Sequence, residues 1–132
     1  KLPRHYTSRI IKRVANSADL VSQVVYIKKG QKTNFMILDA GMTELIRPSL
    51  YQAYHKIENI SIENISIVEK QADEIYDVVG PICESIDCFG KAVKLPKSKR
   101  GQLIVIRSAG AYGECMANSN NMRELNPPLF YD

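Results

Sequence analysis

The run Ile75-Tyr76-Asp77-Val78-Val79-Gly80-Pro81-Ile82-Cys83-Glu84-Ser85-Ile86-Asp87-Cys88-Phe89-Gly90 holds the decisive pattern of the chain. Its first five residues are mostly β-branched or aromatic and read as a strand. Gly80-Pro81 ends that strand, because glycine frees the backbone and proline removes a ladder donor. A thiol and two carboxylates follow at Cys83, Glu84 and Asp87, and Gly90 closes what reads as a tight loop. A rigid loop that presents those three groups together reads as a site rather than a connection.

The same alternation of short strands and turn signals extends to both sides. Residues 19–29, with Leu20, Val21, Val24, Val25, Tyr26 and Ile27, predict a strand. Lys28-Lys29-Gly30-Gln31-Lys32 predicts a turn, and Asn34-Phe35-Met36-Ile37-Leu38 a second strand that closes an antiparallel hairpin. Asp39-Ala40-Gly41-Met42 turns the chain sharply. Pro48 then suits the first position of a single helical turn through Ser49-Leu50-Tyr51, on which Arg47 and Tyr51, four apart, share a face. The near-duplication Glu58-Asn59-Ile60-Ser61-Ile62 and Glu63-Asn64-Ile65-Ser66-Ile67 has a period of five, which would switch its isoleucines between sheet faces. A turn or bulge near Glu63-Asn64 resolves that conflict. Residues 91–100 read as a basic, proline-containing loop. Leu103-Ile104-Val105-Ile106 reads as a strand, followed by the small-residue segment Ser108-Ala109-Gly110-Ala111-Tyr112-Gly113. A short helix is expected over 114–118 and a last edge strand at Phe130-Tyr131. With almost no long helical pattern, the expected fold is all-β: a Greek-key barrel or sandwich with one or two short helical turns.

The 132 residues suffice for one domain with a real core. No apolar run approaches the roughly 18 residues of a membrane helix, and no signal-peptide pattern opens the chain, so a cytoplasmic protein with no membrane partner is expected. The chain begins Lys1-Leu2-Pro3, without an initiator Met, and reads as a piece of something longer, with residues 1–13 as a lead-in segment. The net charge is +4. No aromatic residues interleave with the basic run, which favours a solvated face over nucleic-acid binding. Three cysteines (Cys83, Cys88, Cys115) in a chain without a secretion signal predict reduced thiols, and no spacing suggests a metal site. Cys88 and Cys115 are expected to be packing residues.

Three motifs carry chemistry: Asp39-Ala40-Gly41-Met42 with Ile46-Arg47-Pro48 and Tyr51; the loop from Gly80 to Asp87; and Ser108-Ala109-Gly110-Ala111-Tyr112-Gly113. On residues alone, Arg47 could grip a carboxylate or simply join a surface ion pair. Cys83 could be reactive or buried, Asp87 could act directly or stabilise a turn, and Tyr112 could pack in a core.

In this order the motifs resemble the C-terminal β-domain of the diaminopimelate decarboxylases, pyridoxal-phosphate enzymes of the alanine-racemase-like group, from about residue 14 to 123. The resemblance implies that 14–132 is the C-terminal β-domain of a two-domain carboxy-lyase of lysine biosynthesis. The TIM-barrel domain that carries the Schiff-base lysine and most of the pyridoxal 5'-phosphate contacts is not in this chain, which alone is expected to be inactive. It also implies a homodimer with shared active sites. By resemblance, Arg47 binds the distal carboxylate of meso-diaminopimelate, Tyr51 is a neighbouring substrate contact and Glu84 binds the distal ammonium. Cys83 lies near the cofactor as a proton donor, and Tyr112 contacts the cofactor. Arg47 and Glu84 together favour diaminopimelate over ornithine. The family's Glu-Pro-Gly-Arg entry motif is absent; the chain has Thr7-Ser8-Arg9-Ile10-Ile11-Lys12-Arg13 there, and Asn120-Asn121-Met122-Arg123 where the family often has Tyr-Asn, a spacer and Arg. Those departures support an alternative expectation, a non-catalytic interaction or regulatory fragment of a related ornithine- or arginine-type decarboxylase.

Overall fold

The computed structural model describes residues 15–61 and 72–130. Six strands form one sheet: β1 (Leu20–Lys28), β2 (Asn34–Leu38), β3 (Ile57–Asn59), β4 (Asp73–Val79), β5 (Cys88–Pro96) and β6 (Leu103–Ile106). Their order across the sheet is β3-β6-β1-β2-β4-β5. The β1–β2 hairpin is antiparallel, with Tyr26 opposite Ile37 and Lys28 opposite Phe35. β2 and β4 run parallel, with Ile37 opposite Val79. A parallel pair needs a long crossover. Among the described residues the crossover carries a short α-helix, α1 (Arg47–Tyr51), and β3.

Period-two alternation sets the inner face. Val24 on β1, Met36 and Leu38 on β2, and Tyr76 and Val78 on β4 are fully buried, while Val21, Val25 and Ile75 face outward. Ile104, Val105 and Ile106 are all buried, in keeping with β6 lying between β3 and β1 and covered on both faces. Leu45, Phe89 and Leu95 complete the core. The sheet curls until its two edges meet: a Cβ on Gly90 of β5 would lie 3.2 Å from Ile57 Cδ1 of β3. The result is a nearly closed, barrel-like all-β fold with very little helix.

The phenol of Tyr76 sits inside this core. The Tyr76 hydroxyl donates to Glu74 Oε2 (2.8 Å) and accepts the Ser98 N–H (3.0 Å). Burial, more than any other influence, raises its pKa, so the phenol stays neutral and its proton is available to Glu74. Tyr76→Phe removes both bonds and leaves the Ser98 amide buried without a partner. A loss of about 1–3 kcal/mol in denaturant unfolding is expected, with an unchanged circular-dichroism spectrum.

Several expectations need correction. Residues 91–96 are not a loop but the second half of β5. A bulge opposite Tyr76–Val78 absorbs one extra residue of β5: Ala92 takes φ 52°, and its N–H donates to Asp77 Oδ1 (2.8 Å). Gly90 therefore lies inside a strand and does not close the loop, which ends at Asp87. Residues 110–116 form consecutive turns instead of the expected helix over 114–118. Cys115 is exposed, so it is not a packing residue. Phe130 lies in no strand and is 88% exposed, because no sheet edge reaches it. The turn or bulge expected at Glu63-Asn64, the lead-in at 1–13 and Tyr131 lie outside the described residues. All three cysteines are free.

Candidate functional site

Parallel pairing of β2 and β4 makes their carboxyl ends neighbours, so the loops that leave them, 39–46 and 80–87, start side by side. Asp87 joins the two. Its side chain is buried, Oδ1 accepts the Met42 N–H (2.7 Å), and Oδ2 accepts the Ile82 N–H (2.7 Å). Two glycines make room for it. A Cβ on Gly80 would lie 2.3 Å from Asp87 Oδ2, and one on Gly41 would lie 3.0 Å from the same oxygen. Burial raises the Asp87 pKa and Glu44 adds to the effect, while the two backbone donors and Arg123 oppose it. Burial likewise raises the Cys88 thiol, which keeps it protonated and fits a packing role.

Glu44 and Arg123 tie in the third segment. Glu44 Oε2 accepts the Gly41 N–H (2.8 Å) and the Thr43 hydroxyl (2.6 Å), and Glu44 Oε1 faces Arg123 Nη2 at 3.4 Å. Arg123 Nη2 also donates to the Asp39 carbonyl, and the Asn118 N–H donates to the Thr43 carbonyl (2.9 Å). Residues 118–123 are thereby latched across the 39–46 loop. The Ser108 segment is braced from the chain's earlier part: the Ser108 N–H donates to Asp19 Oδ1 (2.9 Å), and the Gly110 N–H donates to the Ala15 carbonyl (3.0 Å).

Arg47 opens α1 and Tyr51 ends it, with Pro48 buried beneath them. The Ser49 hydroxyl donates to the Ile86 carbonyl (2.6 Å), which fastens α1 to the loop that bears Cys83 and Glu84. Cys83 and Glu84 are both exposed, and Asn121 Nδ2 approaches Cys83 Sγ at 3.7 Å. Tyr112 is half-exposed in left-handed backbone (φ 63°), held by the Met116 N–H on its carbonyl (3.1 Å). Its neighbour Gly113 packs so closely on the Ala109 carbonyl that a Cβ would lie 2.3 Å from that oxygen. The five predicted residues therefore stand on three segments: Asp87 and Ser49 fasten the Cys83–Glu84 loop to the stretch that leads into and bears Arg47 and Tyr51, while the Tyr112 segment is held separately through Asp19 and the Ala15 carbonyl. None of the five is buried.

Sequence reasoning left the role of Asp87 open between a turn and direct chemistry, and it is the structural hub. It gave no role to Glu44, and it treated Arg123 only as a departure from a pattern. One signal was available for Asp87: an acid seven residues after a glycine that itself ends a strand. Arg9 and Arg13 lie outside the described residues. Among the described residues no group of three or more His, Cys, Asp or Glu could hold a metal ion, and no helix is long and apolar enough to cross a membrane.

Residues 14–110 match the family model described as pyridoxal-dependent decarboxylase, C-terminal sheet domain. The chain is 61% identical over 112 residues to the diaminopimelate decarboxylase of Bacteroides thetaiotaomicron, covering 85% of this chain and 27% of that protein. The diaminopimelate decarboxylase of Helicobacter pylori, solved in complex with L-lysine, is 42% identical with a TM-score of 0.72, over 84% of this chain and 26% of that one. A lysine/ornithine decarboxylase from Vibrio vulnificus, at 22% identity and a TM-score of 0.70 over 83% of this chain and 28% of that one, shares the fold. The chain thus spans about a quarter of the length of these relatives. Matched by the family model over most of its length and folded as a sheet domain whose loops meet at one end, the chain belongs to the C-terminal sheet domain family of pyridoxal-dependent decarboxylases.

Proposed function

We propose that this chain is the C-terminal sheet domain of a diaminopimelate decarboxylase and completes a site for conversion of meso-2,6-diaminopimelate to L-lysine. One observation carries this most directly: the loop bearing Cys83 and Glu84 is fastened to the segment bearing Arg47 at two points, Ser49 to Ile86 and Met42 to Asp87. A guanidinium, a carboxylate and a thiol are thereby held in fixed relation at one end of the sheet, so that in a dimer Arg47 can serve one site while Cys83 and Glu84 reach the site of the partner. The similarity to proteins named diaminopimelate decarboxylase supports the same substrate.

Arg47 presents a planar fork that a carboxylate can meet with two hydrogen bonds, and Tyr51, one helical turn on, lines the same approach. Glu84 offers a carboxylate to the distal ammonium. Cys83, exposed on a pinned loop, can deliver a proton to the carbon that loses carbon dioxide. Pyridoxal 5'-phosphate, when bound, supplies the electron sink for decarboxylation. Tyr112 fits one contact to it, since its side chain is half-exposed while its neighbours Ala111 and Gly113 are buried and fix the segment that presents it. The rest of the cofactor contacts, including its lysine, belong to a barrel domain in the complete enzyme. The enzyme acts as a cytoplasmic homodimer in which Cys83 and Glu84 serve the partner's site.

The test uses the full-length protein that contains this segment. Carbon dioxide release is expected from meso-diaminopimelate and not from ornithine. Cys83→Ala is expected to lower kcat by about two orders of magnitude while KM and melting temperature hold, in line with loss of a proton donor. Equal turnover of both substrates would remove the diaminopimelate assignment, and an unchanged kcat would remove Cys83 from catalysis.

A further inference from the structure

Residues 118–123 are anchored at both ends and strained between. The Asn118 N–H donates to the Thr43 carbonyl (2.9 Å), and Arg123 Nη2 reaches the Asp39 carbonyl and Glu44. Between these anchors Asn121 and Met122 take left-handed backbone, with φ 58° and 56°. Asparagine tolerates that region and methionine does not, so the contacts around the segment impose its geometry. Burial does not require it, since Asn121 is exposed and Met122 is 97% exposed. What the geometry places is one side chain. Asn121 Nδ2 stands 3.7 Å from Cys83 Sγ, on a loop 38 positions away. Among the described residues no other side chain hydrogen-bonds that sulfur.

An amide N–H only donates, and a thiol sulfur accepts weakly until it carries charge. The contact therefore has a direction. It turns the S–H hydrogen of Cys83 away from Asn121, and it strengthens as the sulfur becomes negative. Holding the segment in place does not account for it. The Asn118 and Arg123 anchors close the segment without the Asn121 side chain, and glycine would meet the left-handed backbone at least cost.

We propose that Asn121 is a positioning residue for Cys83, orienting the thiol and stabilising the sulfur once its proton has left. This role rests on Cys83 being the proton donor proposed above. In that step the S–H bond breaks and its electron pair stays on sulfur. The pair left on the carbon that lost carbon dioxide takes the proton and forms the C–H bond, and water later returns a proton to the sulfur. A hydrogen bond that is stronger after the transfer than before it lowers the barrier to transfer. Asn121 and Cys83 belong to one protomer, so the amide travels with the thiol into whichever site the thiol serves.

The experiment uses the full-length protein and two substitutions. Asn121→Gly keeps the left-handed backbone and removes the amide, and Asn121→Asp keeps the shape and replaces the donor with an oxygen. Iodoacetamide labelling at one neutral pH is followed by mass spectrometry at the Cys83 peptide, with the exposed Cys115 as internal reference. The thiolate is the species alkylated. Labelling of Cys83 is expected to slow about fivefold in Asn121→Gly and further in Asn121→Asp, with Cys115 unchanged. Asn121→Gly is also expected to lower kcat about fivefold at constant KM and melting temperature, and to cause no added loss in a Cys83→Ala background. The same fractional loss with and without the thiol would overturn the proposal. Unaltered labelling in both variants, alongside the expected loss in Cys83→Ala, overturns this role alone. An unchanged kcat in Cys83→Ala overturns the proton-donor reading and this role with it.

Discussion

Replacing Asp87 with Ala is expected to cost about 2–5 kcal/mol, the largest single-site loss among the polar residues of this domain. The estimate follows from what remains. The Met42 and Ile82 amides both point at the carboxylate, and alanine leaves each without an acceptor in a buried pocket that two glycines shape around it. Denaturant unfolding measures the loss. Asp87→Asn keeps one acceptor oxygen but turns an NH2 group toward the other amide, so a smaller loss is expected.

The pH dependence separates the charge from the hydrogen bonds. The Asp87 pKa is raised in the folded state, chiefly by burial. A carboxyl with a raised folded pKa favours folding most when protonated, below the ordinary aspartate value of about 3.9, and that contribution is lost as pH rises through the folded pKa. The stability difference between wild type and Asp87→Asn should therefore be greatest in acid and narrow as pH climbs toward neutral. A difference that widened over that interval would mean that the two backbone donors outweigh burial.

Arg47→Met is expected to lower kcat/KM for meso-diaminopimelate by about 10²–10⁴ while changing stability by no more than ~0.5 kcal/mol. A charged hydrogen bond contributes about 1.5–3 kcal/mol, and a fork makes two that are not fully additive. Stability should hold because Arg47 has no ion pair among the described residues and is only half-buried. The folded structure does not depend on its charge. Arg47→Lys keeps the charge and loses the fork, so it should recover only part of the loss. Substrate kinetics on the full-length protein decide the matter; an unchanged kcat/KM in Arg47→Met would take the distal carboxylate away from this residue.

Much of the fold could be read from residue patterns, for a physical reason. Val24, Met36, Leu38, Tyr76 and Val78 follow the two-residue period of a sheet with one buried face. Strand β5 escaped because its lysines and Pro96 resemble loop composition, yet they lie on an edge strand where charge and proline are tolerated. The candidate site was legible residue by residue, through motifs that a short window contains. Its scaffold was not. Arg123 reaches Glu44 across 79 positions and Asp87 reaches Met42 across 45, and no local pattern reports such distances.

The place of β6 has a consequence for how the molecule is made. It lies between β3 and β1, pairing Ile106 with Ile57 on one side and with Leu20 on the other. During synthesis both partners emerge first, and neither can be joined to the other until the ribosome has delivered residues 103–106. Until then their hydrophobic edges stay open, at the mercy of chaperones and of neighbouring nascent chains. Such late, distant pairing slows folding. A pause in translation after β5 would lengthen the interval of greatest exposure, and a stop there would leave β3 without a ladder partner and β1 as an open edge of the β1-β2-β4-β5 sheet.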